Sequence, residues 1–114
     1  MQLKTIVEKL NLVQVTALEV PDVDVQIGYV SDLLSNVMGQ AAEKYIWVTM
    51  QGHPNIAAIA SLLSLACVVV AGGASIDPDT IERANENEVL IFKTDSSSFE
   101  ITGQLYSLGV KGHE

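Results

Sequence analysis

The chain contains a single cysteine, Cys67, so it cannot form an internal disulfide bond. Sparse cysteine is typical of a reducing cytosol, and the N-terminus lacks the unbroken apolar stretch of a signal peptide, so we expect a cytoplasmic protein. Aromatic residues make up only 5% of the chain although 48% of it is hydrophobic. The core must therefore consist mainly of short aliphatic side chains, which favour helices packed on a sheet.

Basic residues are also scarce. Six Lys and Arg stand against fourteen Asp and Glu, which gives a formal net charge of -8. A surface of this sign repels phosphate backbones and anionic lipids, so we expect neither nucleic acid nor a membrane as a partner. A small anionic ligand remains compatible with this charge, because local backbone N–H groups can attract it.

The least polar stretch runs from Ile56 to Ala71, contains no charged residue and has only 16 residues. A membrane-spanning helix needs about 20 apolar residues, so this stretch is too short to be one. Its first part is rich in Ala and Leu, and its second part is rich in Val. We predict a helix at 54–65 followed by a buried strand at 67–71.

The rest of the chain alternates between the two kinds of element. We predict strands at 12–17, 25–32, 44–50, 67–71 and 88–94, and helices at 3–10, 33–41, 54–65, 78–85 and 98–108. Asp32, Asp77 and Ser97 are the predicted helix caps, and the end of the chain with His113 is predicted to be a frayed tail. The alternation predicts an α/β fold in one domain, residues 1–114, with a mostly parallel sheet in a three-layer α/β/α sandwich.

Ligands of open parallel sheets bind at the carboxyl ends of the strands. Three predicted loops lie there, at 50–55, 72–77 and 94–98, and the turn at 30–32 is a fourth candidate. Their polar groups suit a phosphate or a carboxylate. The candidate ligand-binding residues are Ser31, Asp32, His53, Asn55, Gly72, Gly73, Thr94, Asp95 and Ser96, with Ser75 close by.

Several of these features also have a purely structural interpretation. The two glycines can simply turn the chain, and His53 before Pro54 is more often an exposed loop residue than a general base. Cys67 is expected to be an inert buried residue, and Trp47 is expected to lie in the core.

Signatures of catalysis are missing. Neither GxxxxGK[ST] nor GxGxxG occurs, no spacing of cysteine or histidine suggests a metal, and His53 and His113 are the only histidines. A Ser96–His53–Asp95 set has no support from spacing. We therefore predict a non-catalytic protein without a metal or a cofactor.

Three segments, "GYVSDLLSNVMG" (28–39), "IWVTMQGHPNIAAIA" (46–60) and residues 68–109, together resemble the DRTGG domain family. The resemblance is to the stand-alone type found near iron-only hydrogenase genes. It implies an HPr kinase/MurF N-domain-like fold, and a dimerising, regulatory role associated with adenine nucleotide control. Where the name-giving Asp-Arg-Thr would lie, this chain has Gly52-His53-Pro54, whereas Gly72–Gly73 and Thr94–Asp95 match the family pattern.

Three functions are compatible with these observations. The first is a homodimeric regulatory module that senses a nucleotide or a small phosphorylated metabolite. The second is a structural or assembly partner of a redox complex of the iron hydrogenase type, with no small ligand. The third is an enzyme that uses His53 and Asp95 as acid and base.

Overall fold

Five helices and six strands form the part of the chain that the computed structural model describes, residues 1–113. The helices are α1 (Leu3–Lys9), α2 (Leu34–Gln40), α3 (Asn55–Leu63), α4 (Pro78–Glu86) and α5 (Ser98–Ser107). The strands are β1 (Val13–Gln14), β2 (Ile27–Val30), β3 (Ile46–Thr49), β4 (Cys67–Val70), β5 (Ile91–Lys93) and β6 (Lys111–Gly112). Every predicted element is present, and β6 is additional.

The six strands form one sheet in the order β1-β5-β4-β3-β2-β6. Strands β2 to β6 pair in parallel, whereas β1 pairs with β5 in the antiparallel direction. Strand β4 therefore has a parallel neighbour on each side, as an inner strand should. This arrangement confirms the predicted α/β fold with a mostly parallel sheet.

Apolar side chains form two cores, one on each face of the sheet. In β3, Ile46 and Val48 pack with α1 and α5, while Trp47 between them packs with α2, α3 and α4. All four residues of β3 and all four of β4 are buried. Burying one aliphatic side chain stabilises a fold by about 1.5–3 kcal/mol. Helices on both faces thus explain why these strands are continuous apolar runs and confirm the three-layer sandwich.

The uncharged stretch divides as predicted. Helix α3 ends at Leu63, Ser64 has a left-handed backbone with φ of 55°, and β4 begins at Cys67. Burial raises the pKa of the Cys67 thiol, which fits the prediction of an inert residue. Within residues 1–113, no helix combines the length and the apolar character that crossing a membrane requires.

The helices begin within one residue of the predicted positions: α3 begins at Asn55 rather than at Pro54, and α2 begins at Leu34 rather than at Leu33. Ser97 Oγ accepts a hydrogen bond from the Glu100 N–H at 3.2 Å, as a capping serine should. Asp77 precedes α4 as predicted, although its side chain makes no capping bond. The predicted cap at Asp32 is wrong, because α2 begins one residue later, after Leu33.

The Asp32 carboxylate instead joins the ends of two strands. Its Oδ1 atom accepts hydrogen bonds from Thr49 Oγ1 at 2.8 Å and from the Met50 N–H at 2.7 Å. The register of β2 and β3 pairs Val30 with Val48, so the donors at the end of β3 lie beside Asp32. The Asp32 carboxylate therefore binds the Thr49 hydroxyl and the Met50 N–H instead of the N–H groups at the start of α2.

Most strands are shorter than predicted: β1 covers Val13–Gln14 instead of 12–17, and β2 covers Ile27–Val30 instead of 25–32. Strand β5 begins at Ile91 rather than 88, because Glu88 has a φ of 57° and the Val89 N–H bonds to the Ala84 carbonyl, which closes α4. The expected tail is partly ordered, since β6 pairs with β2 and Tyr45 Oη lies 2.7 Å from His113 Nδ1.

Gly52 locks the loop after β3 to the loop after β4. A Cβ atom at this position would overlap the Ser75 carbonyl oxygen, so only glycine fits. The Gly52 carbonyl accepts hydrogen bonds from the Thr80 hydroxyl at 2.6 Å and from the Asp77 N–H at 3.1 Å. Thr80 is fully buried, so this contact ties the loop to α4.

We expect Gly52→Ala to destabilise the protein by about 1–3 kcal/mol, because the added methyl group must displace backbone. Thermal unfolding followed by circular dichroism measures the change. Gly103→Ala is the matched control, because Gly103 lies in α5 with no atom within 4 Å of an added Cβ. In a helix this exchange is expected to stabilise by roughly 0.5–1 kcal/mol. Equal melting temperatures for the two variants would contradict this account of Gly52.

Candidate functional site

The parallel strands β2, β3, β4 and β5 all end at one edge of the sheet. The loops that the sequence analysis selected follow these ends, so all of them lie along that edge. Two of them are joined by backbone hydrogen bonds: Gly72 N–H donates to the Ser96 carbonyl at 2.7 Å, and Gly73 N–H donates to the Thr94 carbonyl at 3.0 Å. Both glycines have positive φ, which allows this tight turn.

An open cleft of about 720 Å³ lies at the β5 end of this edge. Four of the nine candidate residues line it: Gly73, Thr94, Asp95 and Ser96. Ser75, which the sequence analysis placed nearby, also lines it. The volume falls within the range of about 300–1,000 Å³ that small-molecule sites usually occupy.

The opposite wall of the cleft comes from the beginning of the chain. Strand β1 runs antiparallel to β5 and pairs Val13 with Lys93, so the turn between α1 and β1 overhangs the carboxyl end of β5. The end of α1 brings Lys9 to the cleft, and the turn brings Asn11. Sequence reasoning missed both residues, because nothing in their local pattern shows on which edge of the sheet β1 lies.

Charges in the cleft differ in sign from those of the whole chain. Lys9, Lys93 and Asp95 line it, which gives a local charge of one positive unit in a chain of formal charge -8. Within residues 1–113, none of the three has an opposite charge within 4.0 Å, since the ion pairs found there are Met1–Asp24 and Lys4–Asp22. The cleft therefore offers its charged groups to solvent.

Hydrogen-bonding groups surround these charges. The N–H groups of Ser75 and Ile76 donate to no acceptor in the described part of the chain, and the Asn11 and Gln104 side-chain amides make no hydrogen bond there either. All four residues line the cleft. Free amides and lysines that line the same cleft are chemical groups suited to binding small anions.

The other candidate residues lie outside this cleft. His53 and Asn55 are exposed, and the His53 Nδ1 atom accepts the Asn55 N–H at 3.1 Å at the start of α3. Ser31 Oγ accepts the Leu33 N–H at 3.1 Å, and Asp32 is bound to β3 as described. Gly72 is exposed beside Met50, whose Cε atom lies 3.1 Å from the position of an added Cβ.

A metal site has no support in the geometry. Among the side chains of residues 1–113, no three His, Cys, Asp or Glu groups gather closely enough to hold an ion. His53 and Asp95, the pair required for acid–base chemistry, do not share the cleft, because His53 is not among its lining residues.

No protein-family model matches this chain, and no curated protein matches it. Among solved structures, the chain is similar to the CBS and DRTGG domains of the regulatory region of Clostridium perfringens pyrophosphatase, complexed with its activator diadenosine tetraphosphate. The two share 20% sequence identity with a TM-score of 0.69, over 90% of this chain and 44% of the other. The chain thus spans less than half of that regulatory region. At this identity the similarity shows the fold alone, and that fold is DRTGG-like.

Proposed function

We propose that this chain is a non-catalytic regulatory module of the cytoplasm that senses a nucleotide or a small phosphorylated metabolite. The cleft bounded by Lys9, Lys93 and Gly73 is the proposed binding site. One observation carries the proposal: two lysines without ion-pair partners within residues 1–113 lie in a cleft of ligand size, on a chain that has only six basic residues.

Electrostatics favours an anion at this place over any other ligand charge. Lys9 and Lys93 are exposed, so each attracts a unit charge 4 Å away by about 1 kcal/mol, which is the value in bulk water. Two lysines and the free N–H groups of the 75–76 segment act on the same ligand. The solved neighbour is complexed with a nucleotide, diadenosine tetraphosphate, as its activator, which supports the choice of nucleotides.

The absence of histidine from the cleft supports a role in binding rather than in catalysis. Histidine is the side chain that most readily exchanges a proton near neutral pH. The His53 ring accepts a hydrogen bond from the Asn55 N–H within its own loop. His113 contacts Tyr45 on the distant β6 side of the sheet. Asp95 is therefore left without a histidine partner among the lining residues.

Replacing both cleft lysines should weaken anion binding. We expect sulfate, inorganic phosphate, AMP or diadenosine tetraphosphate to raise the melting temperature of the wild-type chain, since ligand at about 100 times its Kd adds about 2.7 kcal/mol of stability. In the Lys9→Gln/Lys93→Gln variant the Kd should rise at least about tenfold, because two charge-assisted contacts are lost.

The matched control is Lys44→Gln/Lys111→Gln, which removes the same charge at positions that do not line the cleft. Its ligand-induced shift should equal that of the wild type. If no anion of the panel stabilises the wild-type chain, or if the two double variants respond equally, the proposed function is wrong.

We also propose that the module acts as a homodimer through apolar side chains at the β2–β3 end of the edge. Asp32 holds the backbone of Met50, and the neighbouring Val30, Leu33 and Met50 side chains are 46%, 65% and 49% exposed. Apolar side chains gathered on a surface mark contacts with other proteins. A redox complex of the hydrogenase type is the alternative partner for the same surface, and its association stays a prediction.

Leu33→Ser/Met50→Ser should convert the dimer to a monomer, because a polar surface no longer favours the contact. Analytical ultracentrifugation measures the change in mass. Leu62→Ser is the control, because Leu62 is 68% exposed but lies in α3. A wild-type chain that sediments as a monomer at about 100 µM, the concentration at which a weak contact of about 5 kcal/mol begins to associate, would contradict the homodimer.

A further inference from the structure

Asp95 is an unexpected residue for a cleft that binds anions. Its side chain reaches over Gly73, where Oδ1 lies 3.2 Å from the position that a Cβ atom on the glycine would occupy. Gly73 also has a φ of 64°, so glycine both permits the turn and leaves space for the carboxylate. Asp95 is exposed, and its side chain takes part in no hydrogen bond or ion pair within residues 1–113.

A carboxylate in this position is unfavourable for a ligand that is only an anion. It repels such a ligand and offsets part of the attraction of the two lysines. Neither Lys9 nor Lys93 comes within 4.0 Å of it, so its charge is not neutralised by these lysines. An ionised carboxylate can only accept hydrogen bonds, and therefore it is satisfied by a ligand that donates one.

We infer that the ligand has two unlike ends, an anionic group that binds Lys9 and Lys93 and a hydrogen-bond donor that binds Asp95. The donor is an amino group on a ring or a hydroxyl group on a sugar, and Asp95 is the specificity-determining residue. Asn11 and Gln104 contribute amides that can bind the polar atoms between the two ends. This inference rests on the proposed function, because it assigns a ligand class to the same cleft.

The inference predicts that replacing Asp95 changes the affinity for two anions in opposite directions. Sulfate has no hydrogen-bond donor, whereas AMP offers the amino group of adenine and the hydroxyl groups of ribose. Asp95→Asn keeps the size of the side chain and removes its charge. It should strengthen the binding of sulfate, because a repulsion disappears, and it should weaken the binding of AMP, because a hydrogen bond to a charged acceptor is lost.

Isothermal titration of the full chain measures both Kd values. We expect the Kd of AMP to rise about tenfold in Asp95→Asn, which is the effect of losing roughly 1.4 kcal/mol, and the Kd of sulfate to fall about two- to fivefold. Asp79→Asn is the matched control, because it makes the same chemical change in the first turn of α4, outside the cleft. Both ligands should bind this control with the wild-type Kd.

The outcomes separate the inference from the proposed function. If both anions bind the wild-type chain and Asp95→Asn strengthens both, Asp95 recognises no donor; the inference is then overturned while the lysine cleft stands. Binding of sulfate without binding of AMP also overturns it. If neither anion binds, the proposed function fails and the inference fails with it.

Discussion

The parallel pairing of β2, β3, β4 and β5 is the constraint on which the rest of the structure depends. Their register aligns Trp47 with Val68 and Val68 with Ile91, so the strands end together and their loops meet along one edge. Burial of both faces by helices makes any slip costly, because a shift by one residue would exchange the side chains of the two cores. The packing of the sheet therefore determines where the candidate cleft lies.

Charge is distributed on this scaffold in a way that composition alone does not reveal. A chain with fourteen acidic residues has a cleft in which lysines outnumber carboxylates. The long-range field still repels anions, so the cleft lysines can attract the proposed ligand only at short range, within about a Debye length. Such an arrangement favours selectivity over tight or indiscriminate capture of phosphates.

The elements with long periodic patterns could be predicted from the sequence, whereas the contacts between distant segments could not. The composition of the run from Ile56 to Ala71 indicated its change from helix to strand, and the loops at 72–77 and 94–98 followed from strand order. Strand β6 has only two residues and therefore no pattern to detect. Asp32 has the right residue type for a cap, but its tertiary contact with Met50 prevails. The cleft could be predicted only in part, because its β4 and β5 loops follow parallel strands while Lys9 reaches it through an antiparallel one.

That antiparallel strand has a consequence for how the molecule is made. During synthesis the segment that carries Lys9 leaves the ribosome before the segment that carries Lys93. Strand β1 can therefore pair with β5 only after Lys93 has emerged. The two walls of the cleft thus come from segments that lie far apart in the nascent polypeptide. A ligand that contacts both walls could therefore bind only after the intervening chain has been translated and folded.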